Sequence, residues 1–264
     1  MEILVCVKGI LDTEENVIEP NADGSDIKRD DLVYYINEWD NYAVEEALTI
    51  RENVGGTVTL VSIGDEEADD VLRRGLAMGA DKAVHITDEA FEDSDGRGIA
   101  EILKAEAGNG QFDLILTGAQ ADDGAGQVGG MLAEMLGWPY ASLVKQIQVL
   151  DEKAIRAGRE IAGGNIEVSD IRLPCVLSIQ TGINQPRYVS SRGWDQAYDI
   201  EIPMHDAETL EMTGETVGPT GARVQRLNYF SPDTGGGAKM LEGNSEQVLT
   251  KLAQLLVAGG RTNQ

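Results

Sequence analysis

The sequence predicts an α/β protein in which a mostly parallel, open sheet carries helices on both faces. Up to Pro139, short apolar runs typical of buried strands alternate with segments of helical spacing. Because strands joined by helices of about 10–15 residues form parallel crossovers, this alternation indicates a sheet that is covered on both sides. After Pro139 the β-rich stretches follow one another without a long helix, which indicates antiparallel additions at the sheet edge.

In the parallel part, short apolar runs predict the strands. Apolar residues that recur every three or four positions predict the helices. The predicted strands are residues 3–7, 57–63, 83–87 and 112–116. The first helix follows Asn37 and ends at Gly55, the second follows Asp65, and the last two span 94–107 and 127–136. Asn37 and Ser94 are residue types that cap helix N-termini. Residues 10–35 are polar and turn-rich, and predict a small excursion or hairpin.

The part of the chain after Pro139 has a different character. Its β-leaning stretches are residues 141–150, 165–172 and 175–181. Residues 184–243 are poor in apolar side chains and periodicity, which predicts an extended arm that lies on something else. Ser245 is predicted to cap a last helix that ends at Gly259-Gly260. Its apolar stripe fits either the chain's own core or a docking face for a second chain; the stripe is Val248, Leu249, Leu252, Leu255 and Leu256.

Composition limits the possible functions. The 264 residues carry a formal net charge of −25, from 46 Asp and Glu against 21 Lys and Arg. This charge repels phosphate backbones and argues against nucleic-acid binding. It fits a solvated or salt-adapted surface, and equally an attraction to a basic partner. Cys6 and Cys175 lie in apolar runs, which predicts buried free thiols in a reducing, cytoplasmic compartment, and no membrane span is expected.

Catalytic residue sets are scarce. His85 lies in a predicted strand, where a lone histidine is typically structural, and His205 follows far along the chain. Cys/His spacing for a metal site, a phosphate loop of the Gly-Lys-Ser/Thr type, a nucleophile elbow and the Gly-x-Gly-x-x-Gly fingerprint are all missing from the sequence. A self-contained dehydrogenase or kinase is therefore not predicted, and no metal site is expected.

A ligand site is predicted beyond the carboxyl ends of the parallel strands, where ligands bind in open α/β sheets. The candidate segments are 7–9, 62–64 and the glycine-rich loop, residues 118–129. Glycines in this loop permit close approach of the backbone, and the helix N-terminus that follows suits a phosphate. Gln120 and Gln127 are candidates for phosphate or ribose, and Asp122 or Asp123 for a ribose hydroxyl. A flexible loop with a glycine-rich cap is the alternative.

A second candidate site is the stretch Asn184-Gln-Pro-Arg-Tyr188, which follows a predicted strand directly and begins the docking segment, residues 184–194. Arg187 and Tyr188 are residue types enriched in protein interfaces. An ordinary turn that leads into the arm is the alternative interpretation.

Together these segments resemble the β subunit of electron transfer flavoproteins, and most closely the type that serves amine dehydrogenases in methylotrophs. The matching pieces fall in family order; they are Ile3-Leu-Val-Cys-Val-Lys8, Asn37-Glu-Trp-Asp40, Val44-Glu-Glu-Ala-Leu48, Leu76-Ala-Met-Gly-Ala-Asp81, the glycine-rich loop running to Leu136-Gly-Trp-Pro139, Arg159-Glu-Ile-Ala-Gly-Gly164, Leu173-Pro-Cys-Val176 and Gly182-Ile-Asn-Gln-Pro-Arg-Tyr188. The resemblance implies a heterodimer with an α subunit that holds the redox-active FAD. It implies an electron-carrier subunit rather than a self-contained catalyst, with a dehydrogenase as donor and a downstream acceptor.

The resemblance also implies an adenine-nucleotide-binding, Rossmann-like domain at residues 1–183 with one structural AMP. Residues 184–264 then form the recognition loop, arm and helix on the α subunit. The implied AMP contacts are Cys6, Asn37, Glu38, Trp39, Asp40, Ile63, Gly118, Gln120, Asp122, Asp123, Gly124, Gly126, Gln127, Val128 and Gly129. The implied partner contacts are Asn184, Pro186, Arg187, Tyr188, Ser191 and Trp194.

The sequence departs from the family pattern in two places. The glycine-rich loop is one residue short, so matches between Asp122 and Gly126 can shift by one. Ser191 stands where many members have a leucine anchor; since a serine cannot fill an apolar pocket, either the partner differs or Trp194 replaces the leucine. The ligand also has an alternative, because bifurcating members have a second, NADH-reactive FAD in place of AMP, and Gln127-Val-Gly129 is compatible with that class.

Overall fold

The computed structural model describes residues 1–29, 31–232, 235, 237–238 and 240–259. These residues form two units, one made of Met1–Ile18 and Arg29–Leu227, the other of Glu19–Lys28 and the described residues from Asn228 onward. The strands are β1 (Glu2–Cys6), β2 (Gly9–Leu11), β3 (Tyr34–Ile36), β4 (Thr57–Ile63), β5 (Lys82–Ile86), β6 (Leu114–Gly118), β7 (Tyr140–Asp151), β8 (Ala154–Ile161), β9 (Asn165–Arg172), β10 (Cys175–Ile179) and β11 (Met204–His205). The helices are α1 (Glu38–Val54), α2 (Glu66–Met78), α3 (Gly96–Asn109), α4 (Val128–Leu136), α5 (Ser191–Tyr198), α6 (Gly218–Gly221) and α7 (Ser245–Gly259).

The first unit is built on a nine-stranded sheet with the order β11-β5-β4-β1-β6-β10-β7-β8-β9. The pairs from β11 to β7 are parallel, and β7, β8 and β9 are antiparallel. The chain proceeds outward from β1 to β4 and β5, and then returns to β6 on the other side of β1. The winding therefore reverses between β1 and β6, which is where an open sheet of this type binds its ligand.

Two apolar cores cover the sheet. Ile3 and Val5 of β1 face one core, which includes side chains of α1 and α2. Leu4 faces the other core, which includes side chains of α3 and α4. Because successive side chains of a strand point to opposite faces, both faces of the sheet are buried under helices. The predicted fold class is confirmed.

Some predicted positions need correction. Residues 175–179 form β10, a fully buried parallel strand between β6 and β7 rather than an edge addition. The strand β8 was not predicted because charged residues interrupt its apolar pattern. The strand expected at 112–116 begins two residues later, at Leu114. The small hairpin is confirmed, since β2 and β3 pair antiparallel.

Two predicted helix caps are wrong. The α3 helix is capped by Asp95, whose carboxylate accepts hydrogen bonds from the N–H groups of Arg97 and Gly98, both at 3.0 Å. Ser94 instead accepts a hydrogen bond from the N–H of Gly218. In the second unit, Asn244 caps α7 in place of Ser245. Asn244 and Gln247 exchange side-chain-to-backbone hydrogen bonds, which is the arrangement of a capping box.

The predicted arm is more ordered over residues 184–227 than its composition suggests. It contains α5, β11 and α6, and single apolar residues from it are buried; these are Val189, Ala197, Leu210 and Val217. They are too widely spaced to give a periodic signal. The boundary between residues 183 and 184 stays a prediction.

The α7 stripe is not core. None of the α7 residues is buried, and Leu249 and Leu256 are about two-thirds exposed. The interpretation of this stripe as part of the chain's own core is therefore wrong. Gly260, at the predicted end of the helix, lies outside the described residues.

Candidate functional site

The carboxyl ends of β1 and β6 are joined by one buried side chain, Asp40 in the first turn of α1. Its Oδ2 accepts a hydrogen bond from the N–H of Lys8 at 2.9 Å. Its Oδ1 accepts one from the N–H of Gly118, also at 2.9 Å. Since Lys8 follows β1 and Gly118 ends β6, Asp40 fixes the point at which the winding reverses.

Asn37, at the N-terminus of α1, ties the same two segments. Its N–H donates to the carbonyl of Lys8 at 2.9 Å, and its Nδ2 donates to the carbonyl of Gln120 at 2.9 Å. Asn37 is 1% exposed, and its Oδ1 has no hydrogen-bond partner among the described residues. A buried amide oxygen is normally satisfied, so this atom is suited to accept a hydrogen bond from a ligand.

Burial controls the electrostatics of this region. It raises the pKa of Asp40 to about 7, although hydrogen bonds from Asn37, Lys8 and Gly118 act in the opposite direction. Burial and, to a smaller extent, the charge of Asp40 raise the pKa of the Cys6 thiol. A thiol of raised pKa is a poor nucleophile, so Cys6 contributes packing rather than chemistry. Cys6 and Cys175 are both free.

The backbone of the glycine-rich loop approaches its neighbours too closely for larger residues. A Cβ at Gly118 would lie 2.3 Å from Oδ1 of Asp40 and 2.8 Å from Cβ of Trp39. Gly126 has a φ of +57°, and a Cβ there would lie 2.9 Å from the carbonyl of Ala119. At these two positions the chain requires glycine. The loop is also joined to β1 by an ion pair of Lys8 with Asp122, at 2.8 Å.

Two helix N-termini meet at this edge and differ in their caps. The ideal Cβ position of Gly96, at the start of α3, lies 3.2 Å from Oε1 of Gln127, which precedes α4. The α3 helix is capped by Asp95. Gln127 makes no side-chain hydrogen bond to the first turn of α4. The N–H groups of that turn carry partial positive charge and suit an anion.

A group of three hydroxyls, two of them from the buried residues Thr117 and Ser178, supports the α4 terminus. Ser178 Oγ lies 2.8 Å from Thr117 Oγ1 and 2.9 Å from the hydroxyl of Tyr140. A Cβ at Gly129 would lie 2.3 Å from Ser178 Oγ, so the first turn of α4 packs directly on these side chains. Sequence reasoning did not find these three hydroxyls, because they come from separate segments and no shared motif marks them.

The structure brings most of the predicted nucleotide contacts to this edge. Cys6 and Ile63 end neighbouring strands and pack on the same face, together with the core under α3 and α4. Ile63 also lines a cleft of about 180 Å³ with Thr87 and Phe91. Val128 is the first residue of α4.

The remaining predicted contacts have other partners or point outward. Glu38 is exposed, and Trp39 Nε1 donates to Oε1 of Gln180 at 2.8 Å. Asp123 Oδ1 accepts a hydrogen bond from the N–H of Ala125 and so shapes the loop itself. Gly124 has a φ of +64°, which favours glycine.

The docking segment is fixed to α1 through carboxylates. Glu45 receives two parallel hydrogen bonds from the Arg187 guanidinium, at 2.9 and 3.0 Å, and a third from the Arg187 backbone N–H. Glu52 receives another at 2.8 Å. Asn184 Nδ2 donates to Glu46 Oε2 at 2.9 Å. Arg187 therefore anchors the segment, in a position that its residue type alone does not reveal.

The other docking residues differ in exposure. Tyr188 is 95% exposed, although Val189 beside it is buried. Ser191 is exposed at the start of α5, where the hydroxyl of Ser190 caps the helix. Trp194 packs against the core under α1 and α2, and its ring centroid lies 6.3 Å from that of Tyr198.

The two histidines have structural partners. His85 Nε2 lies 2.8 Å from the carbonyl of Gly64, and His205 Nδ1 lies 2.7 Å from Oε2 of Glu106. Among the described residues, no three His, Cys, Asp or Glu side chains form a group that fits a metal ion. The helices of the same residues are all too short or too polar to cross a membrane.

Comparison with known proteins decides the family. Residues 26–210 match the electron transfer flavoprotein domain. The chain is 36% identical over 265 residues to the electron transfer flavoprotein subunit beta of Methylophilus methylotrophus, covering 97% of this chain and 98% of the relative. The chain belongs to the electron transfer flavoprotein β-subunit family. Electron transfer is therefore its function, and the β designation implies an α-subunit partner.

Other relatives widen the comparison. The electron transfer flavoprotein subunit beta of Thermoanaerobacterium thermosaccharolyticum is 34% identical over 258 residues, covering 97% of this chain and 98% of the relative. The caffeyl-CoA reductase-Etf complex subunit CarD of Acetobacterium woodii is 36% identical over 248 residues, covering 93% of each chain. Because these identities are so similar, they do not resolve the methylotroph subgroup. The family match includes α1, the glycine-rich loop and the docking segment.

Proposed function

We propose that this chain is the β subunit of a cytoplasmic, heterodimeric electron transfer flavoprotein that binds AMP as a structural nucleotide. It cradles the FAD domain of its α subunit and docks a dehydrogenase, so that electrons pass to a downstream acceptor. The FAD supplies the redox chemistry. The observation that carries the nucleotide proposal is the open N-terminus of α4, next to an α3 terminus that is capped by its own carboxylate.

The residues present fit a mononucleotide. Asn37 Oδ1 is a buried acceptor that matches the donor groups of a nucleoside. The first turn of α4 and the Gln127 amide provide donors for a phosphate. Gly118 and Gly126 allow the backbone to come close to the ligand. A solvated glycine-rich loop would require neither the buried unsatisfied oxygen nor the open helix end.

The α7 helix supports the proposal of an α-subunit partner. Leu249, Leu252, Leu255 and Leu256 are 43–68% exposed on one helix. Burying these side chains is favourable by about 25 cal/mol per Å² of apolar surface. An α subunit that covers the stripe would supply that burial.

The docking segment supports the proposal of a dehydrogenase partner. With serine at position 191 and Trp194 packed on the core, Tyr188 is the aromatic side chain that the segment exposes. Arg187 and Val189 on either side fix its backbone, so docking loses little conformational entropy. A partner with an apolar pocket and a basic rim would complement this tyrosine and the acidic surface.

The test is the nucleotide content of the chain purified with its α subunit. We expect one FAD and one AMP per heterodimer after denaturation and chromatography. In a Gly126→Ala variant the new methyl meets the Ala119 carbonyl, and we expect AMP to be lost while FAD remains. Gly108→Ala is the matched control, because a Cβ there meets nothing within 4 Å. A heterodimer with one FAD and no second nucleotide would contradict the AMP proposal.

A second candidate is a bifurcating-type subunit with FAD in place of AMP. The cleft of about 180 Å³ beside Ile63 favours it, because the cleft adds space at the end of β4. Release of two FAD and no AMP, with rapid bleaching of one flavin by NADH, would support this candidate. An absence of any reaction with NADH would exclude it.

A further inference from the structure

The geometry around Asp40 suggests a role beyond contact with a ligand. We infer that Asp40 is a positioning residue whose carboxylate form holds the ends of β1 and β6 in the nucleotide-binding arrangement, so that nucleotide retention weakens when Asp40 is protonated. This inference rests on the proposed nucleotide site and adds a pH dependence to it.

The positioning role of Asp40 requires a hydrogen-bond acceptor on each of its two carboxylate oxygens. The Asp40 side chain meets two backbone N–H groups, those of Lys8 and Gly118, one on each oxygen. An ionised carboxylate accepts at both oxygens, whereas a protonated acid or an amide carries a donor on one side. In either of those forms a donor faces a backbone donor. One of the two strand ends is then released from the contact.

The groups around Asp40 set the pH range. On β1 and the segment that follows it, the titratable or charged groups that face Asp40 are the Cys6 thiol and the Lys8 ammonium. Lys8 in turn pairs with Asp122 of the glycine-rich loop. On the β6 side Asp40 meets the Gly118 backbone, and on α1 itself Glu38 is exposed. Burial, which raises the pKa of Asp40 to about 7, outweighs the opposite effect of the hydrogen bonds from Asn37, Lys8 and Gly118 and of the Lys8 charge.

The direction in which nucleotide affinity changes with pH distinguishes the positioning role from a purely structural role and from electrostatic repulsion of the ligand. Because the folded-state pKa lies above the ordinary value, Asp40 ionisation lowers stability as pH rises from about 4 to 7. A purely structural role would make nucleotide binding follow stability downward over this range. Repulsion between the carboxylate and an anionic nucleotide would also weaken binding as pH rises. The positioning role alone strengthens binding with rising pH.

The experiment uses the chain assembled with its α subunit and depleted of AMP. The AMP dissociation constant is measured by equilibrium dialysis at pH 6, 7 and 8, for wild type and Asp40→Asn. Because a phosphate monoester has a pKa near 6 of its own, the variant supplies the baseline. We expect the wild-type affinity relative to Asp40→Asn to rise about tenfold between pH 6 and 8, as the ionised fraction rises around a pKa of 7. Glu66→Gln, an exposed carboxylate in the first turn of α2, is the matched control and should keep the wild-type profile.

Amide hydrogen exchange tests the same contact without a ligand. We expect the protection of the Lys8 and Gly118 amides to rise with pH in wild type relative to Asp40→Asn. A flat or falling affinity ratio, or amide protection that does not depend on position 40, would overturn the inference. If wild type binds no AMP at any pH, the proposed function fails instead, and amide protection alone then decides whether Asp40 holds the strand ends.

Discussion

The docking segment and the α7 helix use their side chains in opposite ways. In the docking segment, Arg187 and Val189 are tied to the fold while Tyr188 between them is exposed. In α7 the four leucines of the apolar stripe are exposed, and none of the helix residues is buried. The chain itself therefore provides the partners of Arg187 and Val189, whereas we propose that the α7 stripe is covered by another protein. Substitutions of the anchoring residues Arg187 and Val189 should therefore affect folding, and substitutions in the α7 stripe should affect assembly.

The largest effect is expected for Arg187→Ala. Removing the guanidinium leaves the Glu45 carboxylate, whose side chain is 10% exposed, without its main cationic partner. Loss of one member of a buried pair costs about 3–5 kcal/mol, and the one-third exposure of Arg187 reduces this to about 2 kcal/mol. Urea unfolding of the heterodimer measures the change. Arg192→Ala, at an exposed position of the same segment, should change the free energy of unfolding by less than about 0.5 kcal/mol.

The next effect separates assembly from folding. The double variant Leu249→Ser, Leu256→Ser should leave the free energy of unfolding of the first unit unchanged, because neither leucine is buried. It should weaken association with the α subunit by about 30-fold, or about 2 kcal/mol, as expected for truncated interface leucines. Analytical ultracentrifugation of mixed subunits measures this. Unaltered association would mean that α7 is not the contact, and would remove the contrast between the two regions.

The sequence predicts most of the fold, since the signals for it are local. The strand at 57–63 has the predicted bounds, because its run of β-branched and apolar residues is bordered by glycines on both sides. The misplaced cap at Ser94 has a clear reason: both Ser94 and Asp95 are capping types, and tertiary contact with Gly218 decides between them. The placement of β10 is also a tertiary effect. Its five buried residues indicate a central strand, but its neighbours are not encoded locally.

The candidate site is predictable in outline but not in its contacts. The glycine-rich loop is visible because glycine and helix signals are adjacent in sequence. Asp40 as a link between two strands is not visible, because its partners are 32 and 78 residues away. The same applies to Arg187, which is 142 residues from Glu45. A residue type indicates what a side chain can bind, while the topology determines which partner it meets.

Tyr188→Ala sharpens the comparison within the docking segment. Since the ring is 95% exposed, the free energy of unfolding should change by less than about 0.5 kcal/mol. Electron transfer to or from the partner dehydrogenase should need about tenfold more partner for half-maximal rate, because an aromatic anchor contributes about 1.4 kcal/mol or more. Stopped-flow reduction of the heterodimer measures the rate. Tyr188→Phe should retain most of the affinity, and an unaffected Tyr188→Ala would assign docking to another surface.

The smallest effect is expected from added salt. Salt should act differently on the ion pair of Arg187 with Glu45 and on the exposed surface that meets a partner. Raising NaCl from about 0.1 to 1 M shortens the screening length from about 10 to 3 Å. With a net charge of −25, the association rate with a basic partner should fall several-fold over this range. The stability difference between wild type and Arg187→Ala should change by less than about 0.5 kcal/mol, because the guanidinium and carboxylate are in direct contact and partly shielded from solvent. If that difference disappears at high salt, Arg187 and Glu45 form an ordinary surface ion pair, and the docking segment would not be the fixed platform that presents Tyr188.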